Sequence, residues 1–335
     1  MRQTLKYGEN PHQAATIVLD ENSRDPLALS KFKIIGADTA SASPFANVGW
    51  VNLKDLSRGL DAIVRVAAAY EKNVGNVPHI AILVGHGNPF GAACGSSEQV
   101  IATAIQSDFR AAFGSFIITN VPVSEPVAYK MRQWMGPDRP FSGIAAPLID
   151  EAAISYFVRR KGQTVLMANP ALATLGLSSI DQDPITHTIR GATLTQEPNR
   201  FVPTFPAHWD RSLKEDMSLA WGICAASASN CITIAKDQML VANAVGQQER
   251  AAAGELAIQQ AREAQRSTMI EGAAAVSDSF FTFADAFDYL ARRKVKAVFA
   301  THGSIHDAEL LEHAKLFNVE LFTVPDVEGR IFAGH

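Results

Sequence analysis

The sequence has few cysteines, and they form no metal-binding pattern. Cys94, Cys224 and Cys231 are the only three in 335 residues, and none belongs to a Cys-x-x-Cys pair. An odd, sparse set of this kind is typical of reduced thiols in the cytoplasm. We expect no structural zinc, because such a site needs four ligands in a tetrahedral arrangement.

Long apolar stretches are also missing. No segment approaches the roughly 20 apolar residues that a membrane span requires. The first residues, Met1 to Thr4, contain nothing like the apolar region of a secretory signal. The sequence therefore predicts a cytoplasmic protein that does not contact a membrane.

Positive charge is not in excess. The chain has 30 lysines and arginines against 34 acidic residues, which gives a formal net charge of −4. This balance argues against binding to nucleic acid or to an anionic membrane, although a local basic pocket can still hold one phosphate.

The chain does contain alternating apolar runs, glycine turns and helical stretches, at a length that suits two domains. Strands are expected at 79–84, 295–300 and 320–324, and helices at about 98–106, 249–265 and 307–317. Each half contains a strand, a glycine turn and a helix, which indicates a structural duplication without an alignable repeat. The segment from about 162 to 200 is the predicted crossing between the halves.

His86 is the first candidate for a functional side chain. It lies between Gly85 and Gly87, directly after the predicted strand 79–84. Ligands of open α/β sheets collect at the carboxyl ends of strands, so His86 is well placed to act in general acid–base chemistry. A histidine that only hydrogen-bonds its own turn fits the sequence equally well.

Three further segments allow both a functional and a structural interpretation. Residues 112–114 (Ala-Phe-Gly) and 277–285 contain aromatics that can line a pocket or simply pack in the core. Gly246 and Arg250 open a predicted helix and suit an anion site. That segment is neither a dinucleotide fingerprint nor a P-loop, since it lacks both glycine patterns.

The segment Lys6 to Gln13 reads as a turn when taken alone, because Gly8 permits positive φ and Pro11 restricts the residue before it. Together with six further motifs in the same order, however, it resembles the AICAR (aminoimidazole carboxamide ribonucleotide) transformylase family. The other motifs are His-x-Asn-Pro-x-Gly from residue 86, Ala-Phe-Gly from 112, Ser-Asn-x-x-x-x-Ala-Lys from 229, Gly-Gln-x-x-Arg from 246, Ser-Asp-x-Phe-Phe-x-Phe-x-Asp from 277 and Gly-Ser-Ile-x-Asp from 303.

The resemblance implies a fold and an assembly. In that family the transformylase region consists of two cytidine-deaminase-like α/β subdomains, here expected at 1–175 and 176–335. The family works as a homodimer whose sites are shared across the interface. The IMP cyclohydrolase domain of the bifunctional enzyme is expected to be absent. A zinc deaminase is not expected despite the fold, since His-x-Glu followed by Pro-Cys-x-x-Cys does not occur.

The resemblance also implies a set of site residues. His86 resembles the catalytic histidine, and Asn230 resembles a substrate ligand that, like backbone N–H groups, could also stabilise the oxyanion. Lys6 and Tyr7 are expected to reach the nucleotide from the partner subunit. The remaining substrate ligands implied are Asn52, Gly114, Ser142, Arg250 and Arg330, and the implied folate-facing residues are Phe113, Phe280, Asp285 and Ser304.

The implied reaction is formyl transfer from 10-formyltetrahydrofolate to the 5-amino group of AICAR. That amine is a poor nucleophile because its lone pair is delocalised, so its proton must leave as the new bond forms. Histidine suits this general-base role. A fixed donor such as Asn230 would stabilise the oxyanion, and two arginines would hold the phosphate.

The sequence departs from the family pattern at three positions and in the C-terminal tail 330–335, which keeps the arginine and the aromatic but alters the final basic residues. Gly85 stands where the family has the lysine of a lysine–histidine dyad, Ser142 where it has an acidic residue, and Thr282 where it has a proline. Three hypotheses therefore remain: an AICAR transformylase, an altered paralogue acting on a related amine or nucleotide, and a non-catalytic nucleotide-binding protein. Lys130, Lys161 and Lys236 are candidates to replace the missing lysine in space.

Overall fold

A computed structural model describes residues 2–35, 43–136, 139–157 and 164–334 of the chain. In these ranges the strands are β1 (Arg2–Thr4), β2 (Thr16–Val18), β3 (Lys33–Ile35), β4 (His79–Gly85), β5 (Asn88–Gly95), β6 (Phe116–Thr119), β7 (Gly143–Ala146), β8 (Val165–Ala168), β9 (Ile185–Ile189), β10 (Ala192–Gln196), β11 (Ile232–Lys236), β12 (Met239–Ala244), β13 (Ala274–Ser277), β14 (Ala297–His302) and β15 (Glu320–Pro325). The helices are α1 (Trp50–Val74), α2 (Gln99–Ser107), α3 (Glu125–Met135), α4 (Glu151–Ile154), α5 (Arg211–Ala225), α6 (Arg250–Glu263), α7 (Ala284–Ala291), α8 (Asp307–Phe317) and α9 (Asp326–Gly329).

Eleven strands form one mixed sheet, in the order β15-β14-β13-β11-β12-β5-β4-β6-β7-β8-β3. The antiparallel neighbours β12 and β5 join its two halves. On either side of this pair, the hairpins β11–β12 and β4–β5 are antiparallel, whereas β13–β14–β15 and β6–β7–β8 run parallel. The predicted mixed α/β class is confirmed.

The two halves follow the same order of elements. Residues 50–168 contain a helix, a hairpin and then three helix–strand pairs, and residues 211–325 contain the same succession. The connection between them includes the small hairpin β9–β10, whose ten residues are all exposed.

Helices cover both faces of the sheet, because successive side chains of a strand point to opposite faces and both faces are apolar here. On one face, α1 and α5 pack against the sheet and against each other. Their contact is close at Gly222, where an added Cβ would lie 2.5 Å from the backbone nitrogen of Val66. On the other face, α2 and α3 cover the first half, and α6, α7 and α8 cover the second.

Each of the two long helices holds the tip of the hairpin that follows it. Asp55 of α1 accepts a hydrogen bond from Gly87 N–H at 2.8 Å. Asp216 of α5 accepts from Gln238 N–H at 2.7 Å and from Asp237 N–H at 3.1 Å. Both tips are two-residue turns with positive φ at both residues, which matches the right-handed twist of the flanking strands.

Most elements predicted from the sequence are present. The helix expected at 307–317 has those bounds, and α2 and α6 lie within two residues of the expected limits at either end. Many elements had no sequence expectation, including the long helices α1 and α5 and the strand β5. The predicted crossing at 162–200 begins too early, because β8 (Val165–Ala168) pairs with β7 inside the main sheet. Residues 158–163 lie outside the described part, and the boundary at 175/176 stays a prediction.

None of the helices in the described ranges is long and apolar enough to cross a membrane.

The carboxyl of Asp216 should make stability depend on pH. It is 4% exposed, and burial raises its pKa from 3.8 to about 6, against the two backbone hydrogen bonds that lower it. The folded chain therefore binds this proton more tightly than the unfolded chain. The stabilisation is complete below about pH 4 and is lost as the pH rises through about 6.

We expect the free energy of unfolding of the wild type, relative to the Asp216→Asn variant, to fall between pH 4 and pH 7 by on the order of 1 to 3 kcal/mol. Urea denaturation at several pH values measures this difference. Altered hydrogen bonding in the variant shifts the free energy of unfolding by the same amount at every pH, so it does not affect the pH dependence. The exposed Glu312→Gln variant serves as a control that should track the wild type. A wild-type-to-variant difference that does not change with pH would contradict the shift.

Candidate active site

The predicted site residues of both halves lie where the strands of the main sheet begin or end on one side. We call this line of strand ends the edge. In the first half this edge holds the end of β4 and the start of β6, since Val84 pairs with Phe116. In the second half it holds the start of β11 and the end of β13, since Ile232 pairs with Ser277. β12, β14 and β15 also end there.

The strands of the first half meet this edge with different ends. His86 follows the carboxyl end of β4, as expected. However, β6 runs antiparallel to β4, and β7 runs parallel to β6. The edge therefore combines the carboxyl end of β4 with the amino ends of β6 and β7.

The amino end of α1 brings four of the predicted residues into one group. Tyr7 O accepts a hydrogen bond from Trp50 N–H at 3.1 Å, and an added Cβ at Gly49 would lie 2.9 Å from the Tyr7 ring. Asn52 accepts from Gly49 N–H at 3.0 Å and donates to Ser142 O at 3.4 Å. The exposed Lys6 places its Nζ 5.6 Å from the centre of the Tyr7 ring. Lys6, Tyr7, Asn52 and Ser142 are therefore neighbours.

The loops before β6 and β7 contribute two more predicted residues. Gly114 has a φ of +74°, and its N–H donates to Pro140 O at 3.0 Å. Phe113 beside it is 58% exposed, so its ring is free to contact a ligand. The hydroxyl of Ser142 is buried and has no hydrogen-bond partner within the described residues. Buried polar atoms are normally paired, so this hydroxyl is an exception among the described residues.

In the second half, a buried ion pair organises Asn230 and Arg250. Asp278 is fully buried and pairs with Arg250 Nη1, while Arg250 Nη2 donates to Asn230 Oδ1 at 2.8 Å. Arg250 Nη1 also donates to Ser277 Oγ at 2.8 Å. The guanidinium is therefore fixed by protein groups, and the side-chain hydrogens of Asn230 point to carbonyls of the 247–248 segment.

Asp278 also connects two other parts of the chain. Its carboxylate accepts hydrogen bonds from Ser229 Oγ and from Cys231 N–H, the latter at 3.0 Å. Its backbone carbonyl accepts from Ile331 N–H at 3.0 Å. The carboxylate of Asp278 thus connects the residues before β11 with the start of α6, and its backbone carbonyl holds the segment after α9.

Arg330 lies against the predicted folate-facing wall. Its guanidinium is 5.9 Å from the ring centre of Phe280 and 5.0 Å from that of Phe332, and it pairs with Asp326. Burial raises the pKa of the Asp326 carboxyl, but hydrogen bonds from Arg330 and from two hydroxyl groups outweigh it and leave the pKa below its usual value. The ion pair is therefore maintained at neutral pH.

Asp285 and Ser304 lie on neighbouring loops. Asp285 is exposed at the start of α7 and accepts from Ala286 N–H at 2.7 Å. Ser304 Oγ accepts from His306 N–H at 3.2 Å in the loop before α8. The two loops meet where the Phe283 ring lies 5.0 Å from the His306 ring.

His86 is exposed at the tip of the β4–β5 hairpin, and two side chains that the sequence analysis missed contact this tip. Asp55 accepts from Gly87 N–H, and Arg58 Nε donates to Gly87 O at 3.1 Å. Burial raises the pKa of the Asp55 carboxyl, against the opposing effects of the Gly87 hydrogen bond and of nearby His86. The spacing of Asn52, Asp55 and Arg58, three residues apart on one helix face, was the available signal.

None of the described lysine candidates lies close enough to replace the family's lysine, whose position is Gly85 in this chain. Lys130 pairs with Glu98 at 3.2 Å, next to the carboxyl end of β5 and thus at the opposite edge of the sheet. Lys236 ends β11 at that same opposite edge and donates to Glu271 O. Lys161 lies outside the described residues. A Cβ added at Gly85 would lie 3.1 Å from Cε1 of Phe90, so this ring occupies the space beside position 85.

No group of three or more histidine, cysteine or acidic side chains suited to a metal ion occurs in the part of the chain that the structure describes.

Comparison with known proteins decides the family. The model of the AICARFT/IMPCHase bienzyme family matches residues 1–260. The chain belongs to this family. Its curated relatives include the bifunctional purine biosynthesis protein PurH of Rhodopirellula baltica, 29% identical over 317 residues, covering 92% of this chain and 55% of the relative. PurH of Prochlorococcus marinus strain MIT 9215 is 27% identical over 318 residues, covering 92% and 56%.

The chain thus spans about half the length of these members of the AICARFT/IMPCHase family. Among solved structures, Acinetobacter baumannii RibD covers 84% of this chain and 76% of its own at 10% identity. Its TM-score of 0.27 is too low to support any argument about the fold.

Removing the carboxylate of Asp278 should destabilise the protein strongly, because it leaves the largely buried Arg250 charge without its partner. For Asp278→Ala we expect the free energy of unfolding to fall by about 3–5 kcal/mol in urea denaturation. The control is Glu312→Ala, which removes an ion pair with Lys315 in which both side chains are 72% exposed, and we expect a change within about 0.5 kcal/mol. Equal effects of the two variants would show that the buried pair does not hold this edge together.

Proposed function

We propose that this chain is a formyltransferase that transfers the formyl group of 10-formyltetrahydrofolate to the 5-amino group of AICAR. Membership of the AICARFT/IMPCHase family supports the reaction class. The observation that favours it most is geometric: His86, the Asn52–Ser142 group and the Asn230–Arg250 group lie at one edge of one sheet.

His86 is the proposed general acid–base. Its exposed imidazole removes a proton from the amine as the amine nitrogen attacks the formyl carbon. A tetrahedral oxyanion results. The bond between the formyl carbon and N10 of the folate then breaks, and the proton returns from His86 to N10. Asn230 is the proposed donor to the oxyanion. Because its two side-chain hydrogens donate to Gln247 O and Gln248 O, the oxyanion would replace one of these carbonyls.

The nucleotide is proposed to bind at the amino end of α1 and at the two arginines. Lys6, Tyr7, Asn52, Gly114 and Ser142 would contact the base and ribose; the first two lie beside Asn52 in the same chain. Arg250 and Arg330 would face the phosphate, to which guanidinium groups can donate two parallel hydrogen bonds. Phe113, Phe280, Asp285 and Ser304 would line the folate site, with the rings stacking on the flat pterin.

The proposed fold is a duplication of cytidine-deaminase-like subdomains, at 1–175 and 176–335. The equal order of elements in residues 50–168 and 211–325 supports it. So does the shared use of an aspartate, Asp55 or Asp216, to hold the tip of the following hairpin.

We also propose that the chain forms a homodimer in the cytoplasm. Two-stranded hairpins are marginally stable alone in water, yet β9–β10 is fully exposed and includes the aliphatic residues Ile185, Ile189 and Leu194. A second copy of the chain would cover them. Sedimentation velocity should give the mass of a dimer, and a monomer at micromolar concentration would contradict the proposal.

A second candidate function is ligand binding with altered or absent chemistry. Phe90 fills the space beside Gly85, and Ser142 replaces an acidic residue, so the surroundings of the reacting amine differ from the family pattern. A related amine or nucleotide would then bind at the same edge without formyl transfer to AICAR.

The deciding experiment combines calorimetry with AICAR and a single-turnover assay with 10-formyltetrahydrofolate. We expect the wild type to bind AICAR and to give product. His86→Ala should lower the rate about 10²–10⁴-fold, with AICAR affinity nearly unchanged. The control is His208→Ala, which removes an exposed imidazole beside Glu320, at the start of β15 and thus at the opposite edge of the sheet. Binding without product by the wild type would favour the second candidate, and absence of transfer with every folate donor would contradict the first.

A further inference from the structure

The turn that contains His86 has an unusual backbone. His86 has a φ of +52° and Gly87 a φ of +73°, and together they connect β4 to β5 without any further residue. Glycine adopts such angles freely, whereas histidine does so at an energetic cost because its Cβ crowds the backbone. The turn therefore depends on contacts that hold it.

Two charged side chains provide these contacts from one face of α1. Asp55 accepts a hydrogen bond from Gly87 N–H at 2.8 Å, and Arg58 Nε donates one to Gly87 O at 3.1 Å. The negative group thus faces the N–H and the positive group faces the C=O of the same residue. Hydrogen bonds with an ionised partner are roughly twice as strong as neutral ones.

The matching turn of the second half shows which contact is special. There Asp216 also binds the turn amides, but the carbonyl of Gln238 accepts a hydrogen bond from the backbone N–H of Cys94 at 2.8 Å. The position three residues after Asp216 is the buried Leu219. A carboxylate and a backbone amide therefore suffice to hold such a turn, and only the turn containing His86 uses an arginine.

The low exposure of Asp55 and Arg58 supports a role for them beyond holding the hairpin tip. Asp55 is 3% exposed, and the Arg58 side chain is 23% exposed with Asp61 4.0 Å from its Nη1. Arg58 is thus half-buried next to the exposed His86, at the edge of the sheet where the other site residues lie.

We propose that Asp55 and Arg58 are positioning residues that clamp Gly87 and so hold the His86 imidazole in its working orientation. This inference rests on the proposed function, because it assigns the clamp to the acid–base step. The carboxylate fixes the tip of the hairpin. The guanidinium fixes its carbonyl and adds a positive charge beside the reacting groups.

The test uses the full chain and the AICAR formyl-transfer assay. We expect Arg58→Gln to lower kcat about tenfold to a hundredfold with the KM for AICAR nearly unchanged, because a shift of the imidazole affects the reacting geometry more than binding. Arg58→Lys, which keeps the charge, should restore part of kcat. The control is Asp216→Asn, which alters the equivalent tie of the other hairpin and should leave kcat as in the wild type.

Hydrogen exchange of the Gly87 amide, followed by NMR, tests the clamp without reference to catalysis. We expect faster exchange in Asp55→Ala than in the wild type, and slower exchange in Asp55→Asn than in Asp55→Ala, because the amide oxygen still accepts. Unchanged exchange in Asp55→Ala would overturn the clamp. Unchanged kcat in Arg58→Gln, or an equal loss in Asp216→Asn, would overturn its role in positioning. A wild type without any turnover would overturn the proposed function and the positioning role together. If the wild type is active, differences between it and the variants concern the clamp alone.

Discussion

The antiparallel contact between β5 and β12 determines where every other part of this chain can act. Because the two strands run in opposite directions, the tip of the β4–β5 hairpin comes to the edge where β12 ends. Side chains reinforce the junction: Asn88 accepts a hydrogen bond from Ala228 N–H at 2.9 Å, and Asn243 donates to Pro89 O at 2.7 Å. Without this pairing, the histidine of the first half and the arginine of the second would not share one surface.

Buried charge then gives that surface its order. Asp278 contributes a full negative charge in the interior, and such a charge is tolerated only when it is paired and hydrogen-bonded. It is matched by Arg250, one backbone N–H and a serine hydroxyl, which come from separate parts of the second half. In the first half, the buried carboxyl of Asp55 is likewise hydrogen-bonded, by Gly87 N–H. Polar residues that hold each other rigidly can present a ligand with a fixed pattern of donors and acceptors.

Local signals predict several helices and strands, and the family resemblance names the site residues, but neither predicts how those residues contact one another. Helix α8 has acidic residues in its first turn and Asn318 in a left-handed conformation at its end, so its limits are visible in the sequence. Strand β5 begins with Asn88 and Pro89, which read as a turn. Helix α1 contains Gly59, which has low helix propensity, and polar residues that contact the site, so it is hard to predict from local signals. The Arg250–Asp278 contact spans 28 positions and has no local signal at all.

The segment after α9 has a consequence for how the protein is made. Ala333 bridges to Ala228, Ser229 N–H donates to Ala333 O at 3.2 Å, and an added Cβ at Gly334 would lie 3.5 Å from Arg58 Nη2. A ribosome synthesises Arg58 and His86 long before it reaches these residues. The first half can therefore collapse early, while the edge that joins both halves closes only after residue 334 has left the exit tunnel. Until then, the nascent chain exposes the edge of the first half without the contacts from the second half.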